Sequence, residues 1–204
     1  MFDTYEDIFS KRADRYDAAM ARWPDARRAE FEMALAPLRL EAGTVLCDMP
    51  AGGGYLYRYL PEGVAYVAVE PSEHFFAQCP TGPCASRVRC PLTEVPLEDA
   101  SVDCLVSLAG LHHAPDLDAV FVEMRRLVKT SGRVVLADVE VGSASAKFLN
   151  GFVHAHNPLG HVGIFFDEDT PARLGTAGLH VLEDSAVAPR WSFASAEDMG
   201  AYCR

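Results

Sequence analysis

Three groups of residues in this 204-residue sequence have types and spacings that could do chemistry. The first lies in VLCDMPAGGGYLYRYL, residues 45–60, where an apolar run closes on Asp48 and leads into Ala51, Gly52, Gly53 and Gly54. Glycines at such a turn can take positive φ and let a ligand approach the backbone with no Cβ between them. The second is Glu70, which closes the apolar run VAYVAVE (64–70). A carboxylate there can accept hydrogen bonds from ribose hydroxyls, so the two groups together make a nucleoside-binding constellation. The third is rich in histidine: His112 and His113 in LAGLHH, then His154, His156, Asn157 and His161 within residues 150–169. An imidazole titrates near neutral pH and can take a proton from a hydroxyl or an amine.

These groups meet only if the chain positions them on one edge of a sheet, and the pattern along it supports that. Asp3 with Glu6 three residues on, then Tyr5, Phe9, Tyr16 and Met20 near helical spacing, predict a helix over 3–20. A second helix begins at Pro24-Asp25 and ends before Pro37. Strands are expected at 44–48, 64–70, 87–90, 102–109, 133–141 and 179–191, with helices at 53–60, 72–78, 116–129 and near the end of the chain. The strand segments lack polar alternation, as in a parallel sheet covered on both faces. The expected fold is α/β: a Rossmann-like, doubly wound, mostly parallel sheet with helices on both faces and an N-terminal helical cap. One domain over 1–204 is expected, with the cap at 1–40, a ligand-binding core at 41–142 and a substrate-side insertion with a terminal strand and helix at 143–204. Such sheets bind ligands outside the carboxyl ends of their strands, where the glycines, Glu70 and the histidine pair all fall.

Several chemistries lack their motifs. There is no G-K-[ST] after the glycines, no G-x-S-x-G and no H-E-x-x-H. The dinucleotide fingerprint needs a small residue where this chain has Tyr57, which counts against a nicotinamide-dependent oxidoreductase. Cys79, Cys84 and Cys90 match no zinc spacing, and Cys47 and Cys104 sit in apolar runs as small hydrophobes. H-x-H at 154–156 with His161 five residues on, near Asp167 and Asp169, is a loose pattern. No metal is expected.

The glycine stretch is similar to motif I of class I S-adenosylmethionine-dependent methyltransferases, where a strand and an acidic residue precede G-x-G-x-G. The acidic residue falls on Asp48, the second and third glycines fall on Gly52 and Gly54, and Pro50 replaces the first. Residues 91–138 are similar to the same family's run through strand four, helix and strand five, with RLVKTSG where that family has R-v-L-k-p-G-G. FSKRADRYD (9–17) resembles its cap helix, whose tyrosine, here Tyr16, can lie over the cofactor. The resemblance covers about residues 9–140 and implies a small-molecule methyltransferase using S-adenosylmethionine and releasing S-adenosylhomocysteine. It places cofactor contacts at Tyr16, Asp48, Ala51, Gly52, Gly53, Gly54, Glu70, Pro71, Leu92, Ala109 and Gly110. His112 and His113 are the candidate catalytic bases. His154, His156, Asn157 and His161 are the candidate acceptor contacts, since that family places substrate-shaping insertions there. A non-catalytic nucleoside-binding module keeps the same glycines and Glu70 and stays open on the sequence.

Composition bounds the partners. A net charge of −11 argues against a nucleic-acid surface, and no apolar run approaches the roughly 18 residues of a membrane span. The charged N-terminus has no signal-peptide core, so a cytoplasmic enzyme acting on a small molecule is expected. No residues remain after strand six for the antiparallel seventh strand usual in the resembled fold. An open sheet edge is therefore expected, with homodimer formation through it.

Overall fold

The computed structural model describes residues 13–156, 161 and 163–203. The first part of the expected cap helix and Asn157 lie outside the described residues. Strands β1 (Val45–Asp48), β2 (Ala65–Val69), β3 (Ala85–Val88), β4 (Val102–Leu108) and β5 (Val128–Ala137) form a sheet in the order β3-β2-β1-β4-β5. Every neighbouring pair is parallel. The chain winds outward from β1 in one direction and then, from β4, in the other. That makes the carboxyl ends of β1 and β4 the switch point, where ligands of such sheets bind.

The continuous apolar strands are buried on both faces, as their composition requires. Leu46 and Tyr66 point into a core shared with α1 (Ala13–Arg22) and α2 (Arg28–Leu35). Cys47, Met49 and Leu105 point into the opposite core, shared with α4 (Leu117–Leu127). Helix α4 follows its sequence closely. Asp116 caps it, accepting from the Ala119 amide at 3.0 Å. Leu117, Val120, Phe121, Met124 and Leu127 then form a fully buried stripe at spacings of three and four residues. A short helix α3 (Glu73–Gln78) follows β2; Ala144–Lys147 (α5), a π turn at Phe148–Val153 and His154–His156 (α6) run on without a break, and Thr170–Thr176 (α7) comes later in the chain.

Four expectations are corrected. The helix expected at 53–60 is a 3₁₀ turn over Tyr55–Tyr59, entered from Gly54 at φ +71, with the Tyr57 amide donating to the Gly54 carbonyl at 3.1 Å and the Leu60 amide to the Tyr57 carbonyl at 3.2 Å. Strand β3 lies at 85–88 rather than 87–90, in register with Tyr66–Val69. Strand β5 occupies 128–137 rather than 133–141: it begins directly after Leu127, with an irregularity between Val102 and Cys104, and stops where Asp138 turns to the end of β4. No strand forms over 179–191. Leu182 is 75% exposed there, so this stretch buries no face of the kind that holds a strand in a sheet. Its end is drawn instead to the cap, where the Ser192 amide donates to the Ala26 carbonyl at 2.8 Å. Trp191 and Tyr202 of α8 (Ala196–Tyr202) stack edge to face there, 5.5 Å apart.

Candidate active site

The glycine turn is built by close approach. Gly52 has φ +55 and Gly54 φ +71, and a Cβ on Gly54 would stand 2.4 Å from Pro80 Cδ. The Cys79 thiol donates to the Gly52 carbonyl at 3.1 Å, and burial pushes that thiol up to about 12, so it stays protonated in this role. Gly110 explains the departure at Pro50. A Cβ at 110 would lie 2.4 Å from the Pro50 ring, so the turns after β1 and β4 interlock through these two residues. Ala109, at φ +53, makes the bend that brings Gly110 there.

Glu70 is the hinge of this end. Fully buried, it accepts from the Gly52 amide through Oε2 and from the Ser72 amide through Oε1, each at 2.8 Å. One carboxylate thus ties the glycine turn to the start of the segment after β2. The three glycines form a backbone cradle that a Cβ on Gly53 or Gly54 would fill, which fits a ligand lying close along the main chain. Tyr55 closes over it: its ring lies against Gly53, and its hydroxyl donates to Asp17 of α1. Asp17 also holds His74 Nε2 at 2.6 Å, and Tyr16 packs on Tyr55 and Phe75 at 5.7 and 5.9 Å.

Asp48 and Leu92 lie beneath this surface. Leu92 is a core residue with Val95. Asp48 accepts from Tyr66 at 2.7 Å. Burial pushes its carboxyl up to about 7 from an ordinary 3.8, with the Tyr66 hydroxyl opposing the rise. Between these values the folded chain holds a proton that the unfolded chain has lost, so stability falls as pH rises through the window and levels off above about 7. Asp48→Asn removes this dependence. In urea titrations its stability relative to wild type is expected to rise from pH 4 to 7 by up to about 1.4 kcal/mol per pH unit; a difference that stays flat with pH would refute the assignment.

The histidine end is assembled from three distant segments. Asp138, just past β5, accepts from the Leu111 and His112 amides at 2.8 and 3.2 Å and faces His112 Nδ1 at 2.6 Å. It thereby fixes the short Leu111–His113 turn at the end of β4. The strap at 163–166 crosses this turn, with the Ile164 amide donating to the His112 carbonyl at 2.8 Å. Gly163 makes the crossing possible, because a Cβ there would lie 2.7 Å from the Phe165 ring and 3.1 Å from His112 Cδ2. His161 joins the pair: its ring centre is 5.5 Å from His112 and 5.4 Å from His113, which are 4.0 Å apart. His154 supports His161 through its backbone, with Nδ1 about the same distance from the His161 carbonyl and amide, 2.9 and 3.1 Å. His156 does not join. It is exposed, stacked on Phe152 at 4.2 Å. A cavity of about 540 Å³ opens beside the group, sharing Asn150, Gly163 and Phe165 with it.

Asp138 and Asn150 were not singled out in the sequence. The signal for Asp138 was its place one residue past a strand paired with β4, in the register Leu108↔Ala137. Asn150 carried no signal.

Residues 47–136 match the family model described as a methyltransferase domain. They thus carry a methyltransferase domain, and the matched stretch spans the sheet from β1 to β5. The chain is similar to a chain of the Haloferax volcanii complex between the Trm112 methyltransferase activator and a methyltransferase, at 21% identity and TM-score 0.73, covering 91% of this chain and 81% of that one. It is also similar to a protein of Anabaena variabilis described as a methyltransferase from an antibiotic biosynthesis pathway, at 29% identity and TM-score 0.51, covering 55% and 45%. A third is Haemonchus contortus phosphoethanolamine N-methyltransferase 2 in complex with phosphomonomethylethanolamine and S-adenosylhomocysteine, at 17% identity and TM-score 0.67, covering 86% and 44%. Among the described residues no helix is long and apolar enough to cross a membrane.

Proposed function

We propose that this methyltransferase acts on a small-molecule acceptor seated in the cavity beside His112, His113 and His161. The observation that carries the reading is the histidine group at the end of β4 with the solvent-open recess of about 540 Å³ that adjoins it through Asn150, Gly163 and Phe165. The bound cofactor supplies an electrophilic methyl group. The chain's own work is to align the acceptor with it, exclude water and receive the acceptor's proton. Glu70, the three glycines, Ala51, Pro71 and Gly110 are assigned to the cofactor, with Tyr16 and Tyr55 as the cover. Asp48 and Leu92 serve it from beneath, by shaping the turn. His112 and His113 are assigned to the acceptor's proton, and His161 with His154 to the acceptor's side of the cavity. His156, which faces solvent, drops out of that set. The whole of 1–204 is read as one working unit, because the segment around Trp191 returns to the cap. Six free cysteines fit a reducing compartment such as the cytoplasm. Pairing of two copies along the β5 edge remains part of this proposal.

The test fills the cavity without touching the cofactor end. Gly151 lines it, and a Cβ there meets nothing within 4 Å. Gly151→Phe is expected to lower turnover of small acceptors at least about tenfold, the scale of a few methylenes' worth of misfit, while S-adenosylhomocysteine titrates as in wild type. Turnover confined to a macromolecular acceptor would overturn the reading.

A further inference from the structure

We propose that His112, His113 and His161 bind one first-row divalent transition-metal ion of the zinc type. The inference rests on the reading of the neighbouring cavity as the acceptor site only for what the ion would do there; the ligand set stands on its own geometry.

One ligand nitrogen from each ring lies within 4.8 Å of the other two. A tetrahedral ion with bonds of about 2.0–2.1 Å needs nitrogens about 3.3 Å apart, a closure that small rotations of the three rings supply. Two of the rings are already set for it. Asp138 Oδ1 at 2.6 Å accepts from His112 Nδ1, which puts the proton there and the lone pair on Nε2. Asn150 Oδ1 at 3.0 Å does the same for His161. The identity of that amide oxygen is supported independently, because it also accepts from the Gly163 amide at 3.4 Å. A histidine whose Nδ1 proton is held by a carboxylate or amide oxygen is the usual outer-shell arrangement of metal-bound imidazole, and it fixes both the tautomer and the ring.

Charge favours an ion as well. His112 and His161 are 6% and 8% exposed, and the three rings face one another. Imidazole nitrogens brought together in this way can share one cation. All-nitrogen ligation suits zinc, copper, nickel or iron rather than magnesium or calcium. Three protein ligands leave one position for a small molecule, as catalytic rather than structural sites do. His161 and Asn150 place that position next to the cavity. There an ion would bind an acceptor's hydroxyl, thiol or amine and make its proton easier to lose. The lone pairs of His112 and His113 would then serve the ion rather than take the proton themselves. Sequence spacing led to the expectation of no metal, since His154, His156 and His161 make only a loose pattern; of these only His161 belongs to the present set.

The test uses the whole chain, stripped with a chelator and dialysed against Zn(II), or Co(II) as a spectroscopic stand-in. Uptake of one equivalent is expected, with the visible d–d absorption of four-coordinate Co(II). His161→Ala and His112→Ala are expected to weaken uptake by more than about 100-fold, beyond the 10–100-fold of an outer-shell loss; His156→Ala is expected to bind like wild type. Each variant is also titrated with S-adenosylhomocysteine, which reports an intact fold and cofactor end without using the metal. Wild type that binds S-adenosylhomocysteine but takes up no stoichiometric ion would overturn the proposal, as would uptake unchanged in both His161→Ala and His112→Ala. Metal uptake without S-adenosylhomocysteine binding would uphold the ion site and defeat the methyltransferase reading of the chain's activity.

Discussion

Glu70→Ala is expected to weaken S-adenosylhomocysteine binding at least about 100-fold, read by calorimetric titration. On sequence grounds the residue holds only ribose hydroxyls. In the structure its two oxygens hold the Gly52 and Ser72 amides at 2.8 Å. Hydrogen bonds to a charged group contribute about 1.5–3 kcal/mol each, and a buried partner left unsatisfied adds the cost of its desolvation. Removal therefore loosens the turn as well as the ligand contacts. Glu70→Gln separates the two effects. Its amide oxygen can still accept from one of the amides, but its NH₂ turns a donor toward the other. It should fall between wild type and alanine, nearer alanine. Binding within a factor of three of wild type in Glu70→Ala would show that the carboxylate is structural and that the cofactor is held elsewhere.

The second large effect lies far from the sheet edge. Glu30→Ala is expected to destabilise the chain by about 3–5 kcal/mol, the usual result of leaving a buried partner's charge uncompensated. Arg27 and Glu30 form a bidentate pair at 2.6 and 2.7 Å, with side chains 8% and 7% exposed. The same guanidinium donates to the Tyr16 hydroxyl, and Glu30 Oε2 accepts from Trp191 Nε1 at 2.7 Å. One ion pair thus fastens α1, α2 and the segment before α8 together. The measurement is urea unfolding of the single variant and of Arg27→Met with Glu30→Leu. The double variant should recover most of the loss, since apolar groups of similar volume often replace a buried pair at little cost. A single variant within 1 kcal/mol of wild type would mean that solvent reaches the guanidinium and that the pair does not organise the cap. Because Tyr16 also packs on Tyr55, the cover of the glycine turn, this variant should disturb cofactor binding too.

The sequence by itself determined the sheet and its cofactor end, for a physical reason. Strands buried on both faces must be continuously apolar, and a turn that admits a ligand at its backbone must use glycine. Both requirements are written in residue types within short stretches, so β1, β2, β4, α4, Gly52, Gly54 and Glu70 were legible. Pro50 was legible only as a departure; its partner Gly110, 60 positions on, explains it through a contact that no local pattern encodes.

What tertiary structure alone decided is the histidine end. Asp138, Asn150 and Gly163 have no periodicity or motif. Their roles exist because parallel pairing puts the end of β5 beside the end of β4, and because the strap at 163–166 crosses the Leu111–His113 turn. The choice among histidines was decided in the same way. His154 and His156 are neighbours in sequence, yet one faces the strap and the other stacks on Phe152, since residues two apart on a helical turn point in different directions. The stretch 179–191 failed as a strand for the converse reason. Its composition permits one, but strand formation needs an edge to pair with, and the pull of Glu30 and Ala26 on Trp191 and Ser192 takes the chain to the cap instead. Short-range chemistry specified the glycine turn and its carboxylate; only long-range packing specified what stands opposite them.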